Sequence, residues 1–200
     1  MSASLEYTKW QRVDRTDLIR DAAATEALLL SLHAHFGSAD RPRPRLNFAG
    51  GEPLLYADRV LSAMRLARSI GFDVSLITNG SRFNAGMVAD LAPELSLLGL
   101  SIDSAVPEVL AAIGRQDRHA QHLDLQALSR HVAMARCINP ELALKINTVV
   151  CSANWQDDLS AAIRDLAPQR WKVLRMLPVI NRDLEVSNQQ FRSFVERHAS

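Results

Sequence analysis

Three pairs of polar side chains stand two residues apart inside otherwise apolar runs: Arg45 and Asn47, Lys145 and Asn147, and Arg170 and Lys172. In an extended strand residues i and i+2 point to one face, so each pair is aimed together. Their alternates, Leu46 and Phe48, Leu144 and Ile146, and Trp171 and Val173, are the apolar residues that overlying helices cover. Four cations turned into one concavity are costly unless something anionic compensates them. Glu52 and Asp103 are the nearby acids in the sequence. A polyphosphate is therefore the natural partner, because arginine forks, lysine point charges and asparagine amides all suit phosphate oxygens. Arg45 and Arg170 also open their runs, where facing solvent at a strand's amino end accounts for them equally well; Lys145 and Lys172 lie mid-strand.

The loops after three of the runs are built from small polar groups. Ala49-Gly50-Gly51-Glu52-Pro53-Leu54 has two adjacent glycines that leave the backbone open to a ligand, with Pro53 suited to a first helical turn. Its peptide groups and Glu52 could take the ammonium end of an amino-acid-like ligand; a plain strand-to-helix turn is the alternative. Thr78-Asn79-Gly80-Ser81 and Ser101-Ile102-Asp103-Ser104 offer places for a ribose or a carboxylate. His119 and His122 lack the additional ligands that zinc requires. His33, His35, His131 and His198 read as surface residues of helices.

These residues need a scaffold, and the pattern around them supplies it. Short apolar runs at Arg45–Ala49, Asp73–Thr78, Leu95–Ser101, Ala143–Val150 and Trp171–Leu177 alternate with stretches of helical period. The periodic stretches are 14–36 with Leu18, Ala22, Thr25, Leu29, Leu32 and Phe36 on one face; Val60 to Ile70; Leu125 to Ala135; Trp155 to Leu166; and a last helix opened by Ser187 and Gln190 as a capping box. Alternation of this kind predicts an α/β fold of parallel strands joined by helical crossovers, either doubly wound or barrel-like, with ligands at the carboxyl ends of the strands. A connector rich in arginine and proline divides 1–44, a helix and linker, from 45–200, the sheet-forming part, within one domain overall.

Composition narrows the partners. With Lys+Arg 23 against Asp+Glu 22 in 200 residues, nothing draws the chain to nucleic acid or an anionic membrane. Charges interrupt every apolar stretch well short of a bilayer span, and the first residues lack a signal peptide's apolar centre, so a cytoplasmic location is expected. Two cysteines, Cys137 and Cys151, form neither a disulfide framework nor a self-contained metal motif.

Gly50-Gly51-Glu52-Pro53 followed by Thr78-Asn79-Gly80, Ser101 with Asp103, and Lys145-Ile146-Asn147 resembles the radical S-adenosylmethionine superfamily, whose fold is a partial (β/α)6 barrel. The finer resemblance is to viperin-like nucleotide dehydratases, carried by Leu46 to Pro53, Ser81, Ile113-Gly114-Arg115, Lys145-Ile146-Asn147 and Arg170-Trp171-Lys172-Val173, from about residue 45 to 198. The resemblance implies an antiviral reaction. In it a 5′-deoxyadenosyl radical from S-adenosylmethionine removes the 4′ hydrogen of CTP, GTP or UTP, and the 3′ hydroxyl leaves as water to give the 3′-deoxy-3′,4′-didehydro nucleotide. It also implies that Gly50, Gly51, Glu52, Asn79, Ser81 and Ser101 line the S-adenosylmethionine site, and that Arg45, Asn47, Lys145, Asn147, Arg170 and Lys172 hold the triphosphate.

The family's [4Fe–4S] cluster takes three cysteines spaced Cys-x3-Cys-x2-Cys after the first barrel strand. Here Cys137 and Cys151 offer no such motif, and five runs stand where the resemblance calls for six. The expectation is thus a truncated radical SAM barrel without its first strand, its cluster ligands or the family's segment beyond the last helix. Such a chain is not catalytic as it stands, and an external electron donor belongs to an intact form. A cluster-free nucleoside-triphosphate-binding module and a radical SAM maturase with another substrate are the alternatives.

Overall fold

Pro42 and Pro44 hold the chain extended ahead of the first strand, and each later strand follows a helix that ends on a glycine, a left-handed residue or a proline-containing turn. A computed structural model describes residues 21–38, 42–114, 123–178 and 182–199. Helix α1 (Ala22–Phe36) precedes β1 (Arg45–Phe48), α2 (Ala57–Ile70), β2 (Asp73–Thr78), α3 (Ala85–Leu91), β3 (Leu97–Ser101), α4 (Pro107–Ala112), α5 (Leu125–Ile138), β4 (Ala143–Val150), α6 (Ser160–Leu166), β5 (Arg170–Arg175) and α7 (Asn188–Arg197).

The helix ends are set by side chains. Asp21 accepts from the Ala24 N–H at 3.0 Å, Asn84 from that of Met87 at 3.1 Å, and Asp124 from those of Gln126 and Ala127 at 2.9 and 3.0 Å. Ser187 and Gln190 close the expected capping box at α7. At the end of α2, Gly71 turns to φ +117°, and a Cβ there would meet the His33 imidazole at 2.9 Å.

All five strands are parallel and lie in the order β1-β2-β3-β4-β5. Each right-handed crossover therefore advances one strand in the same direction, which puts the helices on one face and leaves the other open. This order has no switch point, so the barrel-like alternative holds and the doubly wound one does not. Leu46, Phe48, Val74, Leu76, Leu98, Leu100, Leu144 and Ile146 fill the covered face and pack with Met64, Val88, Leu128 and Val132 from the helices. A smaller cluster, Val150, Leu159, Val186 and Phe194, lies under α7 against Trp171 and Val173.

Several expectations are corrected. Phe36 is 60% exposed, so the inner face of α1 is carried by Leu29 and Leu32 instead; residues 14–20 lie outside the described part. The stretch from Trp155 is a turn until Ser160, because the Asn154 side chain accepts the Cys151 N–H and donates to the Val149 carbonyl, diverting the backbone from a helix. Helices α3 and α4, of 7 and 6 residues, are too short to show a period and were not legible. His198 is not a surface residue: its side chain is 2% exposed, 5.1 Å from Trp171 and 4.3 Å from Phe194 between ring centroids. Its Nδ1–H faces the Phe194 carbonyl, leaving Nε2 to accept the Leu159 N–H at 3.0 Å. His33 is half-buried, edge-on to Phe72. Among the described residues no helix is long and apolar enough to cross a membrane.

Candidate functional site

The open face carries the polar set that the alternation predicts. By register, Gly99, Lys145 and Arg170 form one row, and Ser101, Asn147 and Lys172 the next row toward the carboxyl ends. Parallel strands lie about 4.8 Å apart, so the cations of β4 and β5 are immediate neighbours. The half-buried Lys145 ammonium is pushed below its ordinary range, first by burial and then by the like charges of Lys172 and Arg170. Among the described residues none of these three cations meets a carboxylate.

The β1 side is looser. Asn47 is exposed, and its Oδ1 accepts from the Ser75 hydroxyl at 2.9 Å. Arg45 is exposed at the first position of β1, level with Asp73. Following β2 from Asp73 to Ile77 and then across Gly99 places Arg45 two same-face rows below Lys145. The structure thus brings Lys145, Asn147, Arg170 and Lys172 together and sets Asn47 and Arg45 progressively farther toward the amino ends.

The carboxyl ends of β1 and β2 are joined through Glu52. Its Oε1 accepts from the Leu54 N–H at 3.0 Å and the Thr78 hydroxyl at 2.7 Å, and its Oε2 accepts from the Asn79 N–H at 2.8 Å. Asn79 then receives the Ser81 N–H at 2.9 Å, and Thr78 the Gly80 N–H at 3.1 Å. Gly50 adopts φ +130°, and a Cβ at Gly50 or Gly51 would find nothing within 4 Å, so this backbone borders open space. One lone pair of Oε2 is still uncommitted. Gly50, Gly51, Glu52, Asn79 and Ser81 gather in these two loops, and Ser101 adjoins them at the end of β3.

The two thiols do not fit an iron–sulfur cluster. Cys137 is exposed near the end of α5 and Cys151 is buried just beyond β4, whereas the cluster takes three thiolates on one loop. His119 and His122 lie outside the described residues.

The Ser101–Ser104 loop, expected to offer a place for a ribose or a carboxylate, is instead buried at Asp103 and Ser104, and sequence reasoning missed the polar group they form with Thr148 and Asn154. Asp103, Ser104, Thr148 and Asn154 are 4%, 0%, 0% and 0% exposed. The Asp103 carboxylate is buried, and its Oδ1 accepts the Val149 N–H at 2.7 Å. Asn154 donates to the carbonyls of Asp103 at 2.7 Å and Val149 at 2.9 Å. Thr148 donates to the Ile102 carbonyl at 2.6 Å and accepts the Trp171 indole N–H at 3.0 Å. The available signal was a run of polar residues just past two strand ends.

Comparison with known proteins agrees with this geometry. A model described as the Radical SAM superfamily matches residues 25–135. An S-adenosylmethionine-dependent nucleotide dehydratase of Pseudoalteromonas ulvae is 35% identical over 96% of this chain and 65% of its own length. One from Selenomonas ruminantium is 38% identical over 77% of this chain and 58% of its own length. The chain thus spans about two thirds or less of these relatives. In fold it is similar to anSMEcpe, solved with bound AdoMet and the Kp18Cys peptide, at a TM-score of 0.67 and 18% identity over 89% of this chain and 50% of that one. A domain of pyruvate-formate lyase-activating enzyme from Bacteroides vulgatus gives 0.57 and 15% identity over 78% of this chain and 93% of that one. With a parallel partial barrel, a glycine–glutamate loop at the end of its first described strand, and a family match over more than half its length, the chain belongs to the radical SAM superfamily.

Proposed function

We propose that this chain is the ligand-binding part of a viperin-like, S-adenosylmethionine-dependent nucleotide dehydratase, and that it binds a nucleoside triphosphate on its open face. One observation carries the reading: Lys145, Arg170 and Lys172 crowd together without a carboxylate partner among the described residues, on a sheet whose opposite edge carries a glycine loop that borders open space. Lys145, Asn147, Arg170 and Lys172 hold the phosphates, with Asn47 and Arg45 extending the site toward the amino ends. S-adenosylmethionine lies against Gly50, Gly51, Glu52, Asn79, Ser81 and Ser101. When bound, and given one electron from a cluster held outside this chain's own cysteines, it would supply, with loss of methionine, the 5′-deoxyadenosyl radical that takes the sugar's hydrogen.

This arrangement orients the nucleotide. The cofactor loops stand at the carboxyl ends of the strands, and the Lys145–Arg170 row lies deeper. The phosphates therefore enter first, along Lys145, Asn147, Arg170 and Lys172, and the sugar faces Ser101, within reach of the cofactor. Cluster ligands do not come from the two cysteines of these 200 residues. Dehydration accordingly calls for another stretch of polypeptide, while binding is what this chain performs. The same cysteine placement favours, as a second reading, a module that binds nucleotide without chemistry. Under either reading the location is cytoplasmic, residues 1–44 lead into the barrel part at 45–200, and the partner is a nucleotide, with no nucleic acid or membrane.

Calorimetric titration of CTP, GTP and UTP tests the reading. Dissociation constants on the order of micromolar are expected, with binding abolished in the Lys145→Ala/Lys172→Ala double variant. A folded chain that binds none of the three nucleotides overturns it and leaves a radical SAM maturase with another substrate. Anaerobic iron and sulfide addition, followed by absorbance near 400 nm, separates the first reading from the second once the missing segment is supplied as a longer polypeptide.

A further inference from the structure

Ser101 and Asn147 are register partners, and the backbone just beyond them departs from a regular ladder. The Ile102 N–H still donates to the Asn147 carbonyl at 3.0 Å. Past that point side chains replace backbone: the Asp103 carboxylate takes the Val149 N–H, and the Thr148 hydroxyl takes the Ile102 carbonyl. The Asn154 amide closes the end by joining the Asp103 and Val149 carbonyls to the Cys151 N–H, each at 2.7–2.9 Å. Ser104 accepts the Val106 N–H at 2.9 Å and donates to Asp157, whose own N–H meets the Asn154 carbonyl at 3.0 Å. Asn154 and Ser104 are wholly buried, so neither can touch a ligand.

We infer that this buried polar pin, centred on Asn154, is a positioning device that sets Ser101, at the end of β3, for the sugar end of a bound nucleotide, with Asn154 and Ser104 as positioning residues. The inference rests on the binding reading above. The physical ground is that the pin acts only at the carboxyl ends of β3 and β4. Lys145, Asn147, Arg170 and Lys172 all lie within the ordinary ladder between β4 and β5, so what the pin alone holds is the chain at and beyond Ser101, the last residue of β3. Loss of the pin moves the loop that faces the sugar and leaves the phosphate row in place. A displacement of about 1 Å is enough to degrade a positioned site.

The test compares two probes, CTP and inorganic tripolyphosphate, by calorimetry at a temperature where every variant is folded. In Asn154→Ala the affinity for CTP is expected to fall about tenfold, because removal of a buried hydrogen-bonding partner leaves its carbonyls unsatisfied, while tripolyphosphate binds within about twofold of wild type. Ser104→Ala is expected to weaken CTP about threefold, and Ser104→Thr, which keeps the hydroxyl, to restore it. Should Asn154→Ala not fold, the Ser104 pair decides alone. Equal loss of both probes, or loss of neither, overturns the pin as a positioning device and leaves it a structural clasp. A wild-type chain that binds neither probe overturns the binding reading itself, and this inference with it.

Discussion

The two halves of the candidate site solve opposite problems. At the ends of β1 and β2 every strong polar group described has a mate: Glu52 is met by Leu54, Thr78 and Asn79, and Asn79 by Ser81. At β4 and β5, Lys145, Arg170 and Lys172 stand together without an acid among the described residues, and burial first, then the two like charges, lower the Lys145 pKa. The first half is held in shape by the fold. The second is held against its own repulsion by the fold, a repulsion that under the proposed function a bound polyanion would relieve. Residues that stabilise the chain and residues that bind should therefore separate cleanly between the halves.

The largest expected effect tests the second half. Lys145→Ala/Lys172→Ala removes two charge-assisted contacts, each worth about 1.5–3 kcal/mol to an anion, so tripolyphosphate affinity should fall about 100-fold or more by calorimetry. The same variant should melt no lower than wild type, because it also removes repulsion. A clear drop in melting temperature would place these lysines among the stabilising groups and end the contrast.

Glu52→Ala should behave the other way. It strands the Thr78 hydroxyl, on a residue 2% exposed, and the Asn79 N–H, at about 2–3 kcal/mol in urea unfolding. Tripolyphosphate affinity should stay within about twofold, since Glu52 lies outside the cation row. If Glu52→Ala binds tripolyphosphate markedly better, its negative charge reaches the phosphate row and the two halves are one electrostatic unit.

This division also marks what could be read in the sequence. Strand alternation is a period of two, and it placed Lys145, Asn147, Arg170 and Lys172 on one face because their alternates Ile146 and Trp171 must meet the helices. Five parallel strands were legible for the same reason. Strand order was not, since alternation fits a barrel and a doubly wound sheet equally. The engagement of Glu52 was also hidden, because its partners Thr78 and Asn79 lie 26 and 27 residues away and contact across strands leaves no local pattern. Asn154, just ahead of the stretch expected to be helical from Trp155, drew no reading, its three backbone bonds being visible only once β3 and β4 are paired. His198 was expected at the surface of its helix, while its burial depends on Trp171, which comes from another element.

A smaller effect sharpens the picture of the first half. Gly50 sits at φ +130° and Gly51 does not share that conformation, although both border open space. Gly50→Ala should cost about 1 kcal/mol or more through backbone strain, and Gly51→Ala close to nothing, in the same urea measurement. Equal costs would mean that the loop's shape depends on something other than the conformation of Gly50.

The smallest effect is a proton. Burial, then Lys172 and Arg170, lower the Lys145 pKa below its ordinary 10.5. Between the lowered value and 10.5 the unfolded chain holds more protons than the folded one at this site, so stability should rise with pH across that window. Below the window both states are protonated and the penalty is constant. A bound polyanion pairs the ammonium and raises its pKa again, so binding within the window should take up a fraction of a proton. Titrations in buffers of different ionisation enthalpy measure that uptake as a slope. Lys145→Ala should abolish the slope at this site, and Lys172→Ala should shift the window upward, because one of the two like charges is gone. A slope that survives Lys145→Ala unchanged would assign the proton elsewhere and show that the crowding of these cations is not what the ligand relieves.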